Sequence, residues 1–284
     1  MVTYKQLLKE QTEGLVKAGN DNAVFDGAEL LGLALGVDCR SGAFEALTEK
    51  PAEESVKAEF EALCERRKKG EPLQYILGEW EFYGLTVKVG KGVLIPRQDT
   101  ETLVELIVDK YKNSDNLVVT DLCAGSGCIA LALEKYLGCR EVYAVEKSEA
   151  AAKYLAENIK LNGSAVKLVM GDVLKEETAE SLPVADIITC NPPYLTSADM
   201  AALQTEVTHE PAEALFGGED GLDLYRAVTR IWKDRLVSGG TLIYEIGAGQ
   251  EDDVMQIMVQ HGFENVRCRP DPCGMMRCVM GTKK

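Results

Sequence analysis

Residues 117–146, LVVTDLCAGSGCIALALEKYLGCREVYAVE, change hydrophobic period twice. The apolar run Leu117 to Cys123 has strand length, Gly125 and Gly127 interrupt it, Cys128 to Leu137 repeats at helical spacing, and Glu141 to Glu146 reads as a second strand. A strand, a tight turn, a helix and another strand form the crossover that joins two parallel strands. Downstream the alternation continues with a helix over Glu149 to Leu161, strands over Val166 to Met170 and Ala185 to Cys190, a helix over Leu222 to Leu236, a strand over Thr241 to Ile246 and a helix over Glu251 to His261. A further helix over Thr100 to Tyr111 precedes the stretch. This order predicts an α/β fold, a doubly wound, mostly parallel sheet with helices on both faces. The closing strands, Asn265 to Arg269 and Met276 to Met280, are separated by a gap too short for a crossover helix, so they are expected to be antiparallel.

Upstream the pattern differs. Tyr4, Leu7, Leu8 and Leu15, then Phe25, Ala28, Leu31 and Leu35, then Val56, Phe60 and Leu63 stand at helical spacing and predict a small helical bundle. Its last helix closes on Arg66-Arg67-Lys68-Lys69, where cations meet the negative end of the helix dipole, and Gly70 supplies a left-handed cap. This basic cluster reads as a solvated helix end rather than a nucleic-acid patch. Between the two regions, EFYGLTVKV and GVLIP flank Gly90-Lys91-Gly92 and predict a hairpin. The expected organisation is a helical domain over 1–75, a β-hairpin linker over 76–98 and the α/β domain over 99–284.

The 284 residues are 46% hydrophobic and carry a net charge of −15, so direct binding of nucleic acid is not expected. The longest apolar stretch, Leu30 to Val37, is too short to cross a bilayer, and no export or membrane association is expected. Nine cysteines are dispersed, with Cys123 and Cys128 five apart and neither of the two histidines near. That spacing predicts no metal site, and an odd number of scattered thiols suits a reducing cytoplasm.

The first candidate site is the glycine-rich turn Cys123-Ala124-Gly125-Ser126-Gly127, where a helix N-terminus opens and unpaired N–H groups collect. Alone it equally suits an ordinary βα turn or a nicotinamide dinucleotide. The next strand ends in Glu146, 21 residues beyond Gly125, where a carboxylate accepts hydrogen bonds from ribose hydroxyls. The third strand ends in Asp172 and Val173, placed to hold an adenine amino group and to cover its ring. These residues predict a nucleoside cofactor, and leave a dehydrogenase and a methyltransferase both open.

The fourth strand delivers Asn191-Pro192-Pro193-Tyr194 to the carboxyl edge of the sheet, where ligands of open α/β sheets bind. This tetrapeptide resembles the signature of class I methyltransferases, which use S-adenosylmethionine to alkylate a planar NH₂ nitrogen and release S-adenosylhomocysteine. The resemblance implies a Rossmann-like methyltransferase sheet in which Asn191 Oδ1 and the Pro192 carbonyl accept the two N–H bonds of the target. Pro193 would stiffen the corner and Tyr194 would stack on the flat group. An amide lone pair is delocalised, so aiming it at an electrophilic methyl is where a catalyst gains. No metal, covalent intermediate or dedicated base is called for.

The resemblance extends over nearly the whole chain. Pro72-Leu73-Gln74-Tyr75-Ile76 with Gly78, Phe82-Tyr83-Gly84, and Leu94-Ile95-Pro96-Arg97 with Asp99-Thr100-Glu101 are similar to the linker of the HemK/PrmC family, the peptide chain release factor glutamine-N5 methyltransferases. Glu206-Val207, Glu210-Pro211, Ala214-Leu215, Gly217-Gly218, Asp220-Gly221-Leu222-Asp223, Tyr225-Arg226, Glu245-Ile246-Gly247 with Gln250, Gly274 and Arg277 follow the same family's pattern. The resemblance implies an enzyme whose N-terminal domain helps dock class I release factors and whose catalytic domain methylates the glutamine of their Gly-Gly-Gln loop; a monomer is expected. It places the cofactor on Cys123 to Gly127, Glu146, Val173 and Asn191, and the glutamine on Asn191 to Tyr194. Arg97 and Glu101 stand in the linker motif, at the cofactor entrance or in an ion-paired seam. The chain departs from the family at Cys123-Ala124, where Gly-Thr is frequent, at Gln98, where Pro is common, and at Glu146, where Asp is common. Competing readings are an adenine-N6 DNA methyltransferase, which predicts a basic groove, a glutamine methyltransferase of a ribosomal protein, and a silent cofactor-binding scaffold.

Overall fold

The computed structural model describes residues 2–284. By their contacts these form two units: the residues up to Gly78 with Thr205–His209, and Glu79–Gln204 with Glu210–Lys284.

The first unit holds α1 (Tyr4–Lys17), α2 (Ala23–Leu35), α3 (Gly42–Thr48), α4 (Glu54–Lys68) and α5 (Leu73–Leu77). Thr3 and Gln6 form a reciprocal capping box at the start of α1, and Gly36 ends α2 in the left-handed conformation. Tyr4, Leu7, Leu15, Leu30, Leu31 and Phe60 are buried at the centre. The basic end of α4 is not wholly solvated, which corrects the sequence reading. Four consecutive residues sweep a full helical turn, and Arg67 falls on the inward stripe, at i+7, i+4 and i+3 from buried Phe60, Leu63 and Cys64. Arg67 is only 7% exposed, and its guanidinium meets Asp26 Oδ2 at 2.6 Å and Glu206 Oε1 at 2.5 Å.

The second unit opens with a hairpin, β1 (Glu79–Phe82) and β2 (Leu85–Lys88), paired from Glu79↔Lys88 to Phe82↔Leu85. Its turn is Tyr83-Gly84, both with positive φ (47° and 69°), as a two-residue hairpin requires. The hairpin predicted around Gly90-Lys91-Gly92 is therefore misplaced. Those glycines allow close approach instead: a Cβ on Gly90 would lie 2.3 Å from Tyr154 Oη, and one on Gly92 would lie 2.9 Å from Ala150 Cβ. GVLIP adds no strand to the hairpin.

The sheet is built from β3 (Asp115–Leu122), β4 (Gly138–Glu146), β5 (Lys167–Met170), β6 (Ala185–Cys190), β7 (Leu236–Glu245), β8 (Phe263–Pro270) and β9 (Met276–Lys283). Helices α6 (Glu101–Tyr111), α7 (Cys128–Tyr136), α8 (Glu149–Leu161), α9 (Glu176–Glu180), α10 (Ser197–Ala201), α11 (Asp223–Trp232) and α12 (Glu251–Gln260) connect them. The strand order is β5-β4-β3-β6-β7-β9-β8, parallel from β5 to β7, with β9 antiparallel to both its neighbours. The predicted doubly wound sheet with an antiparallel C-terminal strand is thus present. The helix expected to reach Leu236 stops as an α-helix at Trp232, since Leu236 already begins β7. Two apolar layers cover the sheet, one with Leu103, Ile107, Leu131 and Leu155, the other with Tyr225, Trp232, Val254 and Met258.

The chain winds outward from β3 to β5, then returns to β6 on the other side of β3. This reversal opens a crevice at the carboxyl ends of β3 and β6. Leu122 and Cys190 are cross-strand partners there, so the glycine turn and Asn191 leave the sheet side by side.

Candidate active site

The glycine turn is held from two directions. Gly125 N–H donates to Glu146 Oε2 (2.8 Å), while Glu146 Oε1 accepts from the N–H groups of Lys147 (2.9 Å) and Ser148 (2.7 Å). Behind the turn, Asn158 Nδ2 donates to the Ser126 carbonyl at 2.9 Å, and Asn158 is fully buried. The backbone is left-handed at Cys123 (φ 57°), Gly125 (55°) and Gly127 (82°), so Cys123 bears a strain the glycines avoid. A Cβ on Gly125 would meet nothing within 4 Å, so this loop face is open to a ligand.

A cavity of about 680 Å³ lies against this loop. It brings together Cys123, Ala124, Gly125, Ser126, Glu146, Asp172, Val173, Asn191 and Pro193 of the residues singled out in the sequence. Gly127, Pro192 and Tyr194 are not among its described lining residues. Gly127 caps the start of α7, where a Cβ would collide with Leu155. Asp172 closes a local turn by accepting from Leu174 N–H (2.9 Å), and the carbonyl of buried Val173 accepts from Trp232 Nε1 (2.9 Å). Arg97 also lines the cavity and pairs with buried Glu210, which accepts from Ile95 N–H at 3.0 Å as well. Glu101 turns elsewhere and accepts from Tyr83 N–H in the hairpin turn (2.8 Å). Sequence reasoning missed the far wall, Met200, Ala212, Glu213 and Phe216.

Tyr194 is braced rather than loose. Its carbonyl accepts from Gln250 Nε2 (3.1 Å), and Gln250 Oε1 accepts from Gly247 N–H (3.0 Å). A Cβ on Gly221 would lie 2.3 Å from the Tyr194 carbonyl oxygen, and one on Gly217 would lie 2.6 Å from the Pro193 carbonyl oxygen. The corner therefore needs glycine at both places. Burial pushes the Tyr194 phenol up to about 12, so it stays neutral.

Comparison with known proteins places the chain in a family. Residues 6–78 match the PrmC N-terminal domain and residues 96–219 the methyltransferase small domain. A release factor glutamine methyltransferase of Geobacter sulfurreducens is 39% identical over 98% of this chain and 96% of its own. The chain belongs to the release factor glutamine methyltransferase family. A second relative of that name, from Thermodesulfovibrio yellowstonii, is 41% identical over 82% of this chain and 84% of its own. Among solved structures, the hMettl16 catalytic domain in complex with an RNA hairpin shares the fold, with a TM-score of 0.60, 15% identity, and coverage of 76% of this chain and 84% of that one.

This methyltransferase has all nine cysteines as free thiols, and none of its described helices is long and apolar enough to cross a membrane. Its cavity fits a nucleoside-bearing methyl donor. The loop face at Gly125 is open, and Glu146, with three backbone donors on two carboxylate oxygens, keeps lone-pair capacity for a hydroxyl.

Proposed function

We propose that the protein transfers a methyl group from S-adenosylmethionine to the side-chain amide nitrogen of the glutamine in the Gly-Gly-Gln loop of class I release factors. One observation carries the reading: Asn191 opens onto the same cavity as the Glu146-braced glycine turn, with its Nδ2 turned to Thr100 Oγ1 (3.4 Å). Its Oδ1 is thereby left to accept from a second amide.

In this reading Cys123 to Ser126, Glu146, Asp172, Val173 and Asn191 would hold the donor, with Gly127 turning the chain into α7 behind them, and the donor when bound supplies an electrophilic methyl carbon on a sulfonium. Asn191 Oδ1 and the Pro192 carbonyl take the two N–H bonds of the glutamine. Gripping both hydrogens fixes the nitrogen in place and aims its weak lone pair. The Pro-Pro backbone, braced by Gln250 and crowded by Gly217 and Gly221, keeps the corner rigid, and Tyr194 backs it. The substrate places the reaction in the cytoplasm, in accord with the free thiols.

Incubation with methyl-labelled S-adenosylmethionine and a class I release factor, followed by mass-spectrometric mapping, is expected to place one label on that glutamine. Label on DNA or on a ribosomal protein alone, or no label, overturns the reading.

Glu146 holds three backbone donors, so its loss should loosen the loop as well as the ribose contact. Glu146→Ala and Glu146→Gln are both expected to weaken S-adenosylhomocysteine by about 1–3 kcal/mol in calorimetry, because Ala removes both acceptor oxygens and Gln replaces one of them with a donor. Unchanged affinity in either variant removes Glu146 from the cofactor site.

A further inference from the structure

Glu245 ends β7 beside the catalytic corner, 1% exposed. Its carboxylate faces the Thr100 hydroxyl and the Asn191 amide, and its Oε2 has no hydrogen-bond partner among the described residues. Arg277 stands near but is engaged by Asp99 (3.2 Å), Asp271 (3.4 Å) and the Ile246 carbonyl (3.3 Å). A buried acid aimed at the residue that grips the substrate has no place in the mechanism given above.

We propose that Glu245 and Thr100 are positioning residues that lock the Asn191 side chain with its nitrogen inward and its oxygen toward the cavity. The proposal rests on the reading of Asn191 as an acceptor for the target amide. An ionised carboxylate only accepts hydrogen bonds, so the Thr100 hydroxyl turns its proton to Glu245 and keeps its lone pairs for Asn191 Nδ2. The flipped amide would set Asn191 Oδ1 against the carboxylate, acceptor to acceptor, and would offer N–H groups to a substrate that itself brings N–H groups. Glu245 thus selects the one orientation that can bind.

A protonated Glu245 can donate, and the selection is lost. Burial pushes its carboxyl up to about 7, against the Thr100 hydroxyl and Arg277, which favour the ionised form, while Asp99 raises it further. The other titratable groups facing it are Cys278 on β9, Tyr194, Tyr225 on α11 and Cys128 on α7. Since the ionised form orients Asn191, turnover is expected to rise with pH through about 7.

The test uses the full-length enzyme with S-adenosylmethionine and a class I release factor. Thr100→Val preserves shape and removes the hydroxyl; kcat is expected to fall by about 10-fold or more, and Thr100→Ser is expected to restore it. In Glu245→Gln, kcat is expected to be low and to lose the acid limb. In ¹⁵N-labelled protein without ligands, the Asn191 side-chain NH₂ signals should titrate with a midpoint near pH 7 and stop doing so in Glu245→Gln. Wild-type kcat in Thr100→Val, an acid limb retained in Glu245→Gln, or Asn191 signals that ignore pH would each overturn the proposal. These outcomes presuppose a wild-type enzyme that labels the glutamine; no label there overturns the proposed function, and the positioning role with it.

Discussion

Asn191→Ala is expected to lower the single-turnover methylation rate at saturating S-adenosylmethionine by about 10²–10³-fold, the size seen when one preorganised hydrogen-bond partner of a reacting group is removed. With only the Pro192 carbonyl left, the target amide keeps one tether and rotates about it. Its lone pair is then aimed no better than a freely bound amide would be. The fold should tolerate the change. Asn191 is half-buried, and its removal takes a donor from Thr100 Oγ1 (3.4 Å) and from the buried Glu245 carboxylate, a cost of about 1–3 kcal/mol. The melting temperature should therefore fall by several degrees at most, leaving the protein folded while the rate collapses. A rate within about threefold of wild type, under 1 kcal/mol of barrier, would take Asn191 out of the reaction.

How much of this was visible beforehand depends on what each feature rests on. The α/β core rests on periodicity, and the bounds of α8 and β6, Glu149–Leu161 and Ala185–Cys190, match the sequence reading to the residue. The cofactor half of the cavity was legible because its residues sit at strand ends, where a change of period marks them. The far wall was not: Met200, Ala212, Glu213 and Phe216 come from a long connection with no sustained period, in which Leu195 and Phe216 form an isolated bridge. Gly90 and Gly92 carried the composition of a turn yet answer to Tyr154 and Ala150, distant in sequence. The threefold grip of Glu146 on backbone N–H groups likewise depends on where the chain goes next. Composition gives the residue; tertiary placement decides which of its capacities is used.

Arg67 shows the same limit with a measurable cost. Arg67→Ala is expected to destabilise the protein by about 3–5 kcal/mol, since it leaves a buried carboxylate without its cation. The Asp26 side chain is 4% exposed, and after the substitution it keeps the Asn20 Nδ2 donor at 2.6 Å but no cation among the described residues. Glu206, 47% exposed, can turn to water, so the loss falls on Asp26. Removal of the guanidinium also frees the Glu71 carbonyl, which it holds at 3.2 Å beyond the end of α4. A companion double variant, Arg67→Met with Asp26→Leu, replaces the pair by apolar groups and should recover most of the stability, because the desolvation of two charges is no longer required. Urea unfolding of the full chain, followed by circular dichroism, separates the cases. A loss below about 1 kcal/mol in Arg67→Ala would mean that the pair behaves as a surface ion pair, and that the basic end of α4 is solvated after all.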